Sequence, residues 1–345
     1  MVEAAGTALG RIAASAAPLP ERALDLLLAL RSCIPFDGAW VAYADPRGSR
    51  YQSLASVDLD DDVLELFSGP AMAHDITATG GDRDRAPVSR SDPGHPSPEE
   101  RTTWSECLTS AGMHESLSVA LFARGGRHVG FVTLLSRSRS APTRAMRRRL
   151  AMLAPVLALG IDPMPCLVAT TRMARGVTAG IVIRDDGRTE TLPGVLGDLL
   201  LAPGSPVLEI ARRRLGLGSL YSSFLWPLGG PFAPDGHARI TVVAAPDDVP
   251  TLLVGVAMVS APQHLHGLTT RELEVLGLVV DGRSNQQIAH ALVVAPRTVA
   301  AHVEHVLVKL DVTSRTTAAV LAEREGLYVP PQPAPRAGSP AAAGA

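Results

Sequence analysis

Lysine is all but missing from this sequence: Lys309 is the single one among 32 lysines and arginines. With abundant alanine, that bias reads as GC-rich coding and carries no mechanism. Neither sign of charge dominates, since 34 acidic residues leave a net charge of −2. No global positive field points to nucleic acid, and any such contact must rest on a local motif. Cysteine is scarce. Cys33, Cys107 and Cys166 lie far apart without C-x-x-C spacing, which predicts reduced thiols rather than a disulfide framework. Long apolar runs are missing too: the most apolar stretch, Leu150–Ile161, is interrupted by Pro155 and too short to span a bilayer. Met1–Pro20 holds Glu3 and Arg11 and no continuous apolar core, so no signal peptide, no membrane partner and a cytoplasmic location are expected.

The motifs of several chemistries are also absent. No G-x-x-x-x-G-K-[ST] phosphate loop and no G-x-S-x-G elbow occurs, and Gly216-Leu217-Gly218 lacks the rest of a dinucleotide fingerprint. No enzyme activity and no cofactor are expected. What is present is an ordinary globular composition, 46% hydrophobic and 19% charged, over 345 residues, enough for two or three domains.

The most legible stretch is Leu268–Leu327, which predicts four short helices with their boundaries spelled out. Thr269 with Glu272, and Ser284 with Gln287, have capping-box spacing. Asp281-Gly282 ends the first helix, and Pro296 suits the first turn of the third. Val299, Val303, Val306, Leu307 and Leu310 share one face of that third helix. Ser314 can cap the fourth helix and Gly326 can close it. Two short helices joined by a tight link predict a helix-turn-helix, its second helix the one to enter a major groove.

The patterns LTxRExEVL, DGxSNxxIA and RTVxxHVxxVLxKLxVxSR resemble the DNA-binding domain of LuxR-type transcription regulators, over under a fifth of the chain. The resemblance implies double-stranded DNA as partner and assigns roles by position. Ser284, Asn285, Arg297, Thr298 and Lys309 fall where phosphate contacts are expected. Ala300, Ala301 and Glu304 fall on the base-facing side, where relatives often carry lysines. Alanine can touch a thymine methyl and glutamate can accept from cytosine N4, although Glu304 can equally be a solvated helix residue. Ala319, Val320 and Leu321 lie on the helix through which the family dimerises. Between Leu265 and Pro330 six cations face seven acids, so a monomer is expected to bind weakly and a homodimer to supply the missing phosphate contacts. His290, His302 and His305 have no spacing that promises a zinc site.

The front of the chain reads as α/β (α+β). Helices are expected over 21–33, 63–68, 98–113 and 143–159, and strands over 38–44, 50–57, 116–123 and 128–136. Thr77–Ser97 is expected to be a loop. Asp58 and Asp60–Asp62 sit where they complement a helix dipole rather than bind metal. The run SLSVALFARGGRHVGFVTLL before a long closing helix is similar to the GAF family of sensor and dimerisation modules. A second small domain, with a hairpin at 180–192, a helix at 205–215 and strands at 219–228, 239–245 and 251–260, resembles a PAS-type or second GAF-like fold. Arg147–Arg149 and Arg212–Arg214 read as solvated helix faces. The expected division is 1–162 (GAF-like), 163–262 (PAS-like or GAF-like), 263–329 (helix-turn-helix) and 330–345, a disordered Pro/Ala tail.

This organisation points to a transcription regulator whose front domains sense a small-molecule effector or a partner protein. The alternatives are a front half that is only a dimerisation scaffold, or one that is an enzyme fused to a DNA-binding unit.

Overall fold

The computed structural model describes residues 2–45, 50–79, 85–93, 101–174, 176–247, 249–262 and 264–331. The tail expected from 330 onward lies, after 331, outside the described residues. The chain divides into two compact units: Met1–Pro165 with Asp247–Leu252, and Cys166–Pro246 with Leu253–Ala345.

The first unit is built on an antiparallel sheet of β1 (Gly38–Ala44), β2 (Tyr51–Val57), β3 (Val88–Ser89), β4 (Glu115–Phe122) and β5 (His128–Ser136), in the order β2-β1-β5-β4-β3. The central strands are covered on both faces, which is why GAWVAYA is apolar at nearly every position rather than alternating. One face carries α1 (Val2–Ala13), α2 (Leu19–Arg31) and α5 (Arg144–Ile161), packed through Leu26, Leu30, Leu121, Val132, Leu150 and Leu157. The other carries α3 (Asp61–Ser68) and α4 (Pro70–Ala78), packed through Trp40, Phe67, Ile76, Trp104 and Phe131. Arg124–Arg127 does form the β4–β5 hairpin turn, with Gly125 and Gly126 at φ +92° and +86°.

The helix expected over 63–68 ends at Ser68, and Pro70 then opens α4 from its first turn. Two expectations are corrected here. The expected loop 77–97 contains the end of α4 and, at Val88–Ser89, an edge strand on β4. The described part of the expected 98–113 helix contains a five-residue π-helix, Trp104–Leu108, and ends in a turn. Local side-chain bonds compete with regular winding there: the Thr109 hydroxyl donates to the Trp104 carbonyl at 2.8 Å, and Asp75 takes the Thr103 N–H at 2.9 Å. The first unit ends at Pro165, beside the boundary expected at 162. Asp162 is buried and accepts from Arg127 at 2.6 Å and from the N–H of Met164, the first residue of α6 (Met164–Met173), at 3.0 Å.

The second unit begins with a sheet of β6 (Val177–Arg184), β7 (Thr189–Thr191), β8 (Tyr221–Pro227), β9 (His237–Ala244) and β10 (Leu253–Ser260), in the order β7-β6-β10-β9-β8. Counted from its own first strand, this is the order of the first sheet. Helix α7 (Pro206–Gly216), capped by the Ser205 hydroxyl, seals one face with Val207, Ile210 and Ala211. The unit ends in α8 (Thr270–Val280), α9 (Asn285–Leu292), α10 (Pro296–Lys309) and α11 (Arg315–Glu325), and one hydrophobic cluster runs through sheet and helices alike. The fold is thus two five-stranded antiparallel α+β sheets of matching strand order followed by an all-helical C-terminal domain. No single helix among the described residues is long and apolar enough to cross a membrane.

Candidate functional site

Three of the four helices of the C-terminal domain start at a side-chain cap, and α10 starts at Pro296 without one. Thr269 and Glu272 bond reciprocally: the Thr269 N–H donates to Glu272 Oε2 at 2.7 Å, and the Glu272 N–H donates to the Thr269 hydroxyl at 3.3 Å. Ser284 and Gln287 repeat the arrangement at 2.8 and 3.3 Å. The second box satisfies two amides and leaves those of Asn285 and Gln286 aimed out of the α9 N-terminus, a geometry that suits an anion. Across Val293–Ala295 the chain turns so that α9 and α10 make an angle of 107°. Val293 holds the left-handed conformation at φ +53° and is 90% exposed.

Val299 and Val306 of α10 are buried with Ile288 and Ala289 of α9 and Leu276 of α8. The opposite side of α10 is open: Arg297, Thr298, Ala300, Ala301, Glu304 and His305 are all exposed. The three residues expected to face bases, and two of those expected at phosphates, thus share one accessible helix surface.

Lys309 and Asn285 stand apart from them. Lys309 Nζ donates to Glu272 Oε2 at 2.7 Å, with the glutamate side chain 5% exposed. Burial alone would raise the Glu272 carboxyl, but the hydrogen bonds from Lys309 and Thr269 prevail and hold it below its ordinary range. Asn285 accepts from Arg315 Nη1 at 2.9 Å, and Arg315 also donates to the Arg283 carbonyl. Arg271 is held by Glu274 and the Leu292 carbonyl, both at 2.8 Å. Arg283 and Arg297 are exposed, with no ion pair among the described residues.

On α11, Ala318 and Ala322 are buried, Ala319 and Leu321 are partly buried, and Val320 is 54% exposed. His290, His302 and His305 do not converge: no cluster of three or more metal-ligating side chains occurs among the described residues.

Sequence reasoning missed one set of residues here. Arg212–Arg214 is not a solvated face, because Arg212 and Arg214 are half-buried and Arg214 donates to the Tyr328 hydroxyl at 3.1 Å. Nothing in the local pattern marks a partner 114 residues away.

In the first unit, a cavity of about 50 Å³ lies between the sheet and α4, lined by Asp75, Thr103, Trp104, Ser116, Ser118 and Thr133 among others. Asp75 is buried, with Oδ2 taken by the Thr103 N–H and hydroxyl and Oδ1 without a partner among the described residues. A larger cleft of about 360 Å³ opens between the α2–β1 and β5–α5 connections. Its two carboxylates are already engaged. Asp37 accepts from the Arg137 N–H at 2.7 Å, and Glu115 accepts from the Ser89 hydroxyl at 3.0 Å and the Ser116 N–H at 2.9 Å.

Two short helices at this angle, the second presenting an open face, define a helix-turn-helix module of the DNA-binding class. Residues 266–322 match the family described as "Bacterial regulatory proteins, luxR family", and this part of the chain is a luxR-type domain. The transcriptional regulatory protein LiaR of Bacillus subtilis (strain 168) is 47% identical over 60 residues, 17% of this chain and 28% of that protein. The transcriptional regulatory protein DegU of Brevibacillus brevis is 42% identical over 73 residues, 21% of this chain and 31% of that protein. The chain thus spans under a third of the length of these two relatives. Among solved structures, it is similar to the GAF domain of a phosphoenolpyruvate-protein phosphotransferase (ptsP) from Coxiella burnetii. The TM-score is 0.36 at 16% identity, over 49% of this chain and 96% of that one. For the GAF domain of an Acinetobacter phosphoenolpyruvate-protein phosphotransferase the TM-score is 0.36 at 15% identity, over 50% and 95%.

Proposed function

We propose that the protein is a transcription regulator, not an enzyme, that binds double-stranded DNA as a homodimer with α10 in the major groove. The observation that carries the reading is the open face of α10 behind an α9 whose capping box leaves two amides free for a phosphate. Ala300, Ala301 and Glu304 face base edges, while Arg297, Thr298 and the Ser284 end of α9 meet phosphates. Lys309 and Asn285 act from behind, by fixing α10 to α8 and α9 to Arg315. The family match covers these residues, and relatives named as transcriptional regulatory proteins match over 60 and 73 residues. Selection of binding sites from a random duplex pool with the full chain tests the reading. Enrichment of a two-part site with half-sites about one helical turn apart is expected, and a pool that never departs from random would overturn it.

The first unit, in this proposal, senses a small molecule in the cavity beside Asp75. A buried carboxylate oxygen without a donor is costly, and a ligand bearing an N–H or O–H group would relieve it. The scaffold reading is favoured by the size of the cavity, since about 50 Å³ holds only a few waters. Melting temperatures measured against small amines, amides and polyols separate the two. A ligand that stabilises the wild type but not Asp75→Asn supports sensing; no such shift across the panel supports the scaffold.

A further inference from the structure

The helix-turn-helix domain does not end in solvent. Gly326 closes α11 at φ +61°, and Leu327, Tyr328 and Val329 are buried. On one side the Leu225 N–H of β8, the edge strand of the second sheet, donates to the Tyr328 carbonyl at 2.8 Å. On the other, the Val329 N–H donates to the Leu273 carbonyl of α8 at 3.2 Å. One short segment therefore bonds the sheet with one residue and the DNA-binding domain with the next.

Side chains close the same joint. The Tyr328 ring has no exposure, and its hydroxyl accepts from Arg214 of α7, whose guanidinium also lies 3.7 Å from Glu323 of α11. Burial pushes the Tyr328 phenol far above its ordinary range, so it stays neutral. Arg239 of β9 donates to the Glu325 carbonyl. The approach is close enough to exclude a methyl group on either side. A Cβ on Gly326 would collide with Ser223 of β8, and one on Gly277 of α8 would collide with the Val329 carbonyl. Phe224 and Ile240 of the sheet share a single apolar cluster with Leu273, Leu276 and Ala322 of the helices.

We propose that residues 326–329 are a strap that makes the second sheet and the helix-turn-helix one cooperative body. A signal then reaches α10 by moving that body, not by setting the DNA-binding domain free. The edge of β8 is the docking surface, and its occupant is the chain's own C-terminal segment. Opening the strap would expose an unpaired edge and a buried phenol together, so the two sides should open in one step. The mechanical half of the proposal stands without DNA, while the signalling half rests on the DNA-binding reading.

Hydrogen exchange followed by mass spectrometry on the full chain tests the first half. In the wild type, peptides from β8, β9, α8 and α11 should share one level of protection. Tyr328→Ala should speed exchange on both sides of the joint alike, by roughly tenfold or more. Should that variant fail to fold, Tyr328→Phe, which removes the hydroxyl and its Arg214 bond but keeps the ring, should give a smaller acceleration, again on both sides. Faster exchange confined to 326–331, or to one side alone, overturns the strap. Affinity for a generic duplex at low salt tests the second half: a variant that binds no more tightly than wild type supports it, and one that binds markedly more tightly overturns it. A wild type that binds no duplex would sink the DNA-binding reading and leave the exchange result to decide the strap.

Discussion

Lys309 and Glu272 are joined at 2.7 Å across the interface of α10 and α8, so the chain's only lysine faces a buried carboxylate. A lysine near the end of a recognition helix would otherwise be read as a phosphate contact. Here its partner is internal, and the expected phenotypes separate. Lys309→Met should cost about 1–2 kcal/mol of stability, since it strands a buried acceptor, and should leave the salt dependence of duplex binding unchanged. Arg297→Ala, at an exposed position, should leave stability unchanged and reduce the slope of log affinity against log salt by about 0.9. Urea unfolding and fluorescence anisotropy at several salt concentrations measure both. Exchange of the two phenotypes would return Lys309 to the phosphate surface.

Acid should weaken the second unit in two windows. The carboxyl of Glu272 is held low despite its burial, by Lys309 and Thr269. The unfolded chain therefore takes up the proton first, and this contribution, complete above about pH 4.3, disappears as pH falls through the lower folded value. His237 is held low by burial, with Glu274 opposing. Its neutral form belongs to the folded state, so stability begins to fall below about pH 6.5, where the unfolded imidazole protonates. Glu272→Gln should flatten the lower window and His237→Gln the upper, in unfolding free energies measured from pH 3 to 8. A profile unchanged by both substitutions would count against these assignments.

Glu304 is the one charged side chain among the three expected base-facing residues, and it is exposed. If it accepts from a cytosine N4, Glu304→Ala should erase the preference at one position of each half-site, a discrimination of about 1–3 kcal/mol. Removing a carboxylate from a phosphate-lined groove should at the same time tighten binding to unrelated duplex. Paired selections with wild type and variant would show this as one lost column in the enriched motif. An unchanged motif would make Glu304 a solvated bystander.

What was legible in the sequence was whatever its chemistry encodes locally. Both capping boxes, the Pro296 start, the Gly326 stop and the Gly125-Gly126 turn between β4 and β5 depend on residues only a few positions apart, and they fall where expected. Misreadings occurred where distant partners decide. The π-helix at Trp104–Leu108 depends on Asp75, 28 residues from Thr103. The Arg212–Arg214 run looks solvated until Tyr328 arrives from the far end of the chain. The shared strand order of the two sheets was equally hidden, because strand pairing is fixed by burial and register rather than by any repeated motif. The Asp75 cavity was hidden for the same reason, since its walls come from α4, the π-helix and three strands.

Of the three residues expected to form a dimer contact, only Val320 points clear of the domain. Ala318 and Ala322 are buried, and Ala319 lies on the helix face of Glu323 and Gly326, which meets Arg214 and Ser223. Leu321 is already partly packed. A homodimer through α11 must therefore centre on Val320, and a charge there would be desolvated on association. Val320→Glu should leave the melting temperature of the monomer unchanged, because the side chain is exposed. It should raise the dimer dissociation constant roughly tenfold or more. Binding to a two-part duplex should weaken accordingly, while binding to a single half-site should not. Sedimentation velocity with anisotropy on whole and half sites reads all three quantities. A variant that still dimerises with wild-type affinity would move the interface off α11 altogether.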